Sequence, residues 1–250
     1  MSKLKTAIIS LTCCEGCQLS ILDLGERMLD IAEKLDLRYF RLASHTKNFP
    51  GPYDLAIVEG CPVTKDNYAK LEEIRKNSKL LVALGSCAHL GGVAEIKNYG
   101  DKNEKIKYVY KNIEGIDNPD IKPVGEVVKI DGFIPGCPMD KNEFYRFVME
   151  LAGGKTPKIA QRPVCYECQL KENKCLLQAG LPCFGPLALG GCHAVCPASG
   201  FICEACRGPL KKTGIEKLQN IMKDKMERED VAKITEIFGA KNEFENPPQT

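Results

Sequence analysis

The sequence has no tryptophan, only three histidines and a formal net charge of just +2 over 250 residues. Nucleic-acid surfaces normally carry a marked basic excess, so this balance speaks against that class of partner. No apolar run approaches the roughly 20 residues that a helix needs to span a bilayer. The stretch Met1–Thr6 leads straight into an apolar strand, with neither the h-region of a signal peptide nor a twin-arginine pair. A soluble, cytoplasmic chain without a membrane span is therefore expected. His45, His89 and His193 are the only histidines, and surface or core roles are expected for each.

Cysteine is abundant, at fourteen residues. Without an export signal, close-spaced cysteines point to metal binding or redox chemistry rather than disulfides. Six fall in the first 137 residues and eight between Cys165 and Cys206.

The first 150 residues alternate strand and helix signals. Strands are expected over 6–11, 37–43, 54–58, 80–84 and 127–130. Helices are expected over 18–35, with Leu19, Leu22, Met28, Ala32 and Leu35 near one face, and over 64–77 with Thr64 as N-cap. A further helix runs from an Asp140 cap to Leu151, with Glu143 completing a capping box. Such alternation predicts an α/β domain, a parallel sheet covered on both faces, over residues 1–155. Residues 93–126, rich in Lys and Asn, read as irregular structure or a short helix, and the Lys-rich part 97–111 as a solvated face. After a Gly/Pro linker at 153–163, a second unit is expected over 160–250. Its cysteine-rich part, 164–210, lacks periodicity and reads as unable to build a core without metal. Short helices follow over 215–228 and 230–238, and the last ten residues read as frayed.

Cys14 and Cys17 follow the first strand, Cys87 the fourth and Cys137 the fifth. Ligands of open α/β sheets bind beyond the carboxyl ends of the strands, so these four thiols can converge on one crevice. Gly16, Gly85 and Gly136 would let the backbone close on a bound group. The competing readings are buried inert thiols or a thioredoxin-like Cys14/Cys17 pair. Cys13 and Cys61 are left over and read as core. The later eight are spaced Cys165-x2-Cys168-x6-Cys175-x7-Cys183 and Cys192-x3-Cys196-x6-Cys203-x2-Cys206. Each four suits one tetrahedral or cubane site. Zinc ribbons place about 15–20 residues between their pairs, whereas residues 169–202, 34 of them, separate Cys168 from Cys203.

Together these motifs carry a resemblance. Cys14-Glu-Gly-Cys17 with Gln18-Leu19-Ser20-Ile21-Leu22, then Glu59-Gly60, Gly85-Ser86-Cys87-Ala88, Gly136-Cys137-Pro138 and the cysteine block make the chain similar to small subunits of nickel–iron hydrogenases. The likeness is to the cytoplasmic multimeric branch: sulfhydrogenase delta subunits and viologen- or NAD(P)-reducing enzymes. It implies a flavodoxin-like domain followed by an irregular iron–sulfur domain. It also implies an electron-transfer role, with the nickel–iron centre in a partner large subunit and a downstream iron–sulfur or flavin subunit, diaphorase-like or disulfide-reductase-like. This chain would hold three 4Fe-4S clusters: a proximal one on Cys14, Cys17, Cys87 and Cys137, a medial one on Cys192, Cys196, Cys203 and Cys206, and a distal one on Cys165, Cys168, Cys175 and Cys183. No catalytic residue is implied here; Glu15 and Glu59 near the proximal set read as solvated or structural.

Periplasmic members of that family carry histidine where this chain has Cys165 and proline where it has Cys196. Four thiolates per site imply three 4Fe-4S centres, and a thiolate in place of imidazole implies a lower distal potential. The rival within the superfamily is the single-cluster subunit of respiratory complex I, whose tandem cysteines resemble Cys13–Cys14. Cys17 and the eight later cysteines argue against it. A zinc-stabilised interaction module is the rival from another class.

Overall fold

The computed structural model describes residues 3–44, 51–211, 213, 215–222 and 227–245. Five strands form one parallel sheet: β1 Leu4–Ser10, β2 Leu35–Phe40, β3 Tyr53–Glu59, β4 Ser78–Leu84 and β5 Gly132–Ile134, in the order β2-β1-β3-β4-β5. Successive strand residues point to opposite faces, so two cores form. Ile8, Leu55, Ile57, Val82, Leu84 and Ile134 enter one. Ala7, Ile9, Ala56, Val58, Leu81 and Ala83 enter the other. The first is covered by α1 Gly16–Leu22, α2 Arg27–Lys34 and α7 Lys141–Ala152. The second lies under α3 Lys65–Lys76, α4 Gly85–Leu90 and α6 Val124–Val127. Between α4 and α6 come a 3-10 helix, Gly92–Asn98, and α5 Lys102–Val109, which buries no residue, in keeping with the solvated face expected there.

Three elements differ from the sequence expectation. The helix expected over 18–35 is two helices, broken at 23–26, where Gly25 takes φ 61°; the buried positions are Cys17, Gln18, Ile21 and Ile31, while Leu19 is 56% exposed. The last strand lies at 132–134 rather than 127–130. Val127, Val128 and Ile130 instead pack on the core from α6 and the loop after it, which explains their apolar character. Asp140 caps α7 by accepting from the Glu143 N–H, but the Glu143 carboxylate turns inward to Arg207. At Thr64 the full capping box forms, through Asn67.

The cysteine-rich region follows the sheet and contains α8 Val164–Leu170 and α9 Val195–Ala198; α10 Ile215–Met222, α11 Arg228–Glu236 and α12 Lys241–Glu245 come after it. This region does bury side chains: Val164, Phe184, Leu187 and Leu90 of α4 form a third core with Leu218, Met222, Val231 and Phe244. The apolar partners come from helices far along the chain, so local periodicity could not reveal them. Residues 241–245 are helical, with Phe244 buried, rather than frayed. His45, 223–226 and 246–250 lie outside the described residues. No helix among those described is long and apolar enough to cross a membrane.

The C-terminal helices meet the 3-10 helix at Glu95, which is 2% exposed and accepts from Asn242 Nδ2 at 2.9 Å. Burial pushes its pKa up to about 8, the Tyr99 hydroxyl opposes, and Glu126 and Glu243 add to the rise. The folded value exceeds the unfolded one near 4.5, so its stabilising share is full below about pH 4.5 and is lost as pH rises through about 8. Glu95→Gln is expected to abolish this loss and to gain about 2–3 kcal/mol at pH 7.5 relative to pH 4.5. Thermal midpoints of both proteins between pH 5 and 8.5 check it; parallel slopes would contradict it.

Candidate iron–sulfur sites

Residues from four strand ends meet at one rim of the sheet. Gly16 lies against the Cys14 sulfur, 3.3 Å from the position its Cβ would take. Gly85 (φ +77°) has Cys17 Sγ 2.5 Å from that position, and Gly92 (φ +65°) has Cys87 Sγ at 2.8 Å. At Gly85 and Gly92 a side chain would collide with the sulfur, and at Gly16 it would crowd it, so the backbone lies close to all three sulfurs. Burial raises the Cys87 thiol to about 12, with Cys61, Cys137, Cys14 and Cys13 adding to the rise. Burial also raises Cys137, helped by Cys14 and Glu59. Cys17 is raised too, first by burial and then by Glu59, while the Met139 N–H opposes. The four expected thiols are thus neighbours at one crevice, with Cys14 and Cys137 on its exposed side.

The rim is tied together by Glu59, at the end of β3 and 2% exposed. Its carboxylate accepts from the N–H groups of Cys17 (3.0 Å) and Gln18 (3.2 Å) and from Gln18 Nε2 (2.9 Å). Glu15, at the N-cap position, is left-handed and makes no side-chain cap, so Glu59 supplies the missing acceptor from another strand. Glu15 instead accepts from Ser10 Oγ at 2.8 Å. Glu59 is therefore structural, as expected, and Glu15 is held by the loop.

The eight later thiols divide into two neighbourhoods. Burial raises Cys165 to about 11, followed by Cys183, Cys168 and Cys175. Gly185 sits between the Cys165 and Cys183 sulfurs, its Cβ position 3.1 and 3.6 Å away, and Asn173 Nδ2 lies 3.5 Å from Cys168 Sγ. The second group lines a cavity of about 430 Å³, whose wall includes Cys192, Cys196, Cys203 and Cys206 together with Cys137 and Arg207. Burial raises the Cys206 thiol to about 12; the Cys137 N–H opposes, and Cys192, Cys137 and Cys196 add to the rise.

Three non-glycine residues with positive φ share one arrangement. Glu15 (61°), Ala194 (47°) and Ala205 (57°) each direct their N–H at the thiol two residues earlier, Cys13, Cys192 and Cys203. Left-handed backbone costs a non-glycine residue roughly 1–2 kcal/mol. Here it turns amides toward sulfur; at Cys192 and Cys203, which belong to the second set, that is the kind of contact that tunes a cluster. Among the described residues, no group of three or more His, Cys, Asp or Glu side chains is arranged to hold a metal ion.

The sets also touch each other. The Cys137 backbone opposes the rise in the Cys206 pKa, and Ser86 Oγ donates to the Cys206 carbonyl. The Cys203 N–H donates to Cys183 Sγ at 3.3 Å. Neighbouring sets are thus in contact, in the order Cys14/17/87/137, Cys192/196/203/206, Cys165/168/175/183.

Of the leftover thiols, Cys61 is fully buried and donates to the Thr12 carbonyl at 3.8 Å, while Cys13 is half-buried beside the first set. His89 is partly buried and stacked on Phe133 with ring centroids 3.8 Å apart; desolvation holds its pKa down at about 4, with Arg207 adding to the drop. His193 is exposed, 3.8 Å from Asp140. Sequence reasoning missed Arg207, wholly buried beside Cys206; an arginine inside an apolar cysteine-rich segment was the available signal.

Residues 14–151 match the family model described as NADH ubiquinone oxidoreductase, 20 Kd subunit. The chain is 34% identical over 241 residues to sulfhydrogenase 2 subunit delta of Pyrococcus furiosus, covering 94% of this chain and 99% of that protein. It is 31% identical over 239 residues to a vhu subunit of the F420-non-reducing hydrogenase of Methanocaldococcus jannaschii, covering 84% and 83%. Among solved structures, an NAD+-reducing [NiFe]-hydrogenase in the H2-reduced state has a chain that matches with a TM-score of 0.57 and 27% identity, over 64% of this chain and 96% of that one.

Proposed function

The chain belongs to the small-subunit family of nickel–iron hydrogenases and serves electron transfer there, and from that premise we propose that it holds three 4Fe-4S clusters on twelve cysteines. The proximal set is Cys14, Cys17, Cys87 and Cys137; the medial set is Cys192, Cys196, Cys203 and Cys206; the distal set is Cys165, Cys168, Cys175 and Cys183. Residues 1–155 would form the proximal-cluster domain and 160–250 the two-cluster domain. The observation that supports this reading is the contact between neighbouring sets: Ser86 Oγ, beside Cys87, donates to the Cys206 carbonyl, and the Cys203 N–H donates to Cys183 Sγ at 3.3 Å.

Bound clusters would supply one-electron carriers between a nickel–iron site in the partner large subunit and a downstream iron–sulfur or flavin subunit. The protein's part is to position and insulate. Its buried thiols are held protonated, so assembly must release those protons. Gly85, Gly92 and Gly185 then keep backbone close to sulfur. Exposed Cys14, Cys137 and Leu19 mark the side that a large subunit would cover, and exposed Cys175, Tyr166 and Leu170 the opposite exit. A cytoplasmic setting fits four thiolates at the distal site, which favour a low potential.

The complex I reading explains only residues 14–151 and leaves the eight later cysteines idle. Metal analysis separates the readings. About twelve irons per chain are expected, against about four for a single cluster. Zinc in place of iron would establish the interaction module instead. Redox-titrated EPR should show no high-potential 3Fe signal, and the complex with its large subunit should reduce a dye with hydrogen; failure of that last assay with full iron would sink the relay role.

A further inference from the structure

Arg207 is the largest fully buried side chain among the described residues, at 1% exposure. Such a charge is tolerated only when it is paired and hydrogen-bonded. Its Nε donates to the Gly190 carbonyl at 3.1 Å, Nη1 to the Pro135 carbonyl at 2.9 Å and Nη2 to Glu143 Oε2 at 2.7 Å. These partners come from the loop after β5, the loop before α9 and helix α7.

The slot that holds the guanidinium is made by two glycines that directly precede cysteines. At Gly136 a Cβ would lie 3.5 Å from Nη1, and at Gly191 it would overlap Nη2 and come 3.1 Å from Glu143 Oε1. Their successors are Cys137 and Cys192, and Arg207 itself follows Cys206. One planar fork thus grips the loops of one proximal and two medial thiols, at the wall those sets share. Its charge is balanced there by Glu143 alone among its hydrogen-bond partners.

We propose that Arg207 is the positioning residue of the proximal-to-medial step: its three hydrogen bonds fix the separation of the two sites, and its ion pair with Glu143 keeps the gap between them neutral. This rests on the three-cluster reading. Lysine cannot replace it, because a point charge lacks the fork that reaches three acceptors at once.

The test uses the complete hydrogenase complex carrying Glu143→Gln or Arg207→Lys. Glutamine keeps an acceptor for Nη2 but leaves the guanidinium charge unbalanced. The midpoint potentials of the proximal and medial clusters should both rise in redox-titrated EPR, with the distal potential unmoved and iron content kept. Arg207→Lys keeps the charge, so the potentials should hold. The magnetic coupling between the two reduced clusters should change, and electron transfer between them should slow roughly tenfold. Potentials unmoved in Glu143→Gln, or all three shifting alike, would overturn the proposal, as would native coupling in Arg207→Lys. If Arg207→Lys loses iron, Glu143→Gln decides alone. Wild-type iron far from about twelve per chain defeats the three-cluster reading before either variant is read; full iron with unmoved potentials defeats only the role of Arg207.

Discussion

Gly85→Ala is expected to empty the proximal site while leaving the other two loaded, lowering iron from about twelve to about eight per chain. Two costs combine at this position. The backbone is left-handed, at φ +77°, which a side chain pays for with roughly 1–2 kcal/mol. The new methyl would also sit 2.5 Å from Cys17 Sγ and 3.4 Å from the Gly136 carbonyl, boxed in by two segments that carry proximal cysteines. The strain alone is survivable. Gly154 has nearly the same φ, +75°, with nothing within 4 Å of the added carbon. Gly154→Ala should therefore lose about 1 kcal/mol and no iron. The collision is what separates the two, because Cys17 is buried and has nowhere to withdraw. Hydrogen-dependent dye reduction in the complex should fall roughly a hundredfold in Gly85→Ala and stay near native in Gly154→Ala. Equal iron in the two variants would mean that Cys17 does not ligate.

Most of what positions the proximal set was legible because it depends on local rules. Buried parallel strands read as apolar runs, and ligands gather beyond their carboxyl ends. Those two facts brought Cys14, Cys17, Cys87 and Cys137 to one rim without coordinates. Inside 18–35 the apolar spacing suggested one helix, but Gly25, at φ 61°, sits in the break between two. The shift of β5 was harder. Val127, Val128 and Ile130 have strand composition but cover the core from outside the sheet, while the true strand is three residues beginning with a glycine. Arg207 was beyond reach for a different reason. Its acceptors lie 17, 64 and 72 residues away, and no spacing rule links them. The third core failed likewise, since Phe184 and Leu187 meet Leu218, Met222 and Phe244 only once the chain has folded back.

Glu59 shows how a long-range partner can still be weighed by arithmetic. Glu59→Ala would leave the N–H groups of Cys17 and Gln18 and the Gln18 amide short of their buried acceptor. Unsatisfied buried donors cost roughly 1–3 kcal/mol each. Gln18 Nε2 keeps one bond, to Ser10 Oγ at 2.8 Å, so the expected loss is about 3–5 kcal/mol. That is a large share of a typical domain's stability. It falls on helix α1, whose seven residues lack a side-chain cap of their own. The proximal site should loosen first, because Cys17 is one of the released residues. Glu59→Gln separates charge from hydrogen bonding. It keeps one oxygen for the Cys17 N–H, so iron should be retained and stability should drop by only about 1–2 kcal/mol. It also removes the negative charge that disfavours the Cys17, Cys13 and Cys137 thiolates. With that charge gone, the reduced and more negative state of the proximal cluster is favoured, and its midpoint potential should rise while the distal one stays fixed. Urea unfolding and redox-titrated EPR on the two variants check both halves. A Glu59→Ala protein as stable as Glu59→Gln would show that these three donors find water instead.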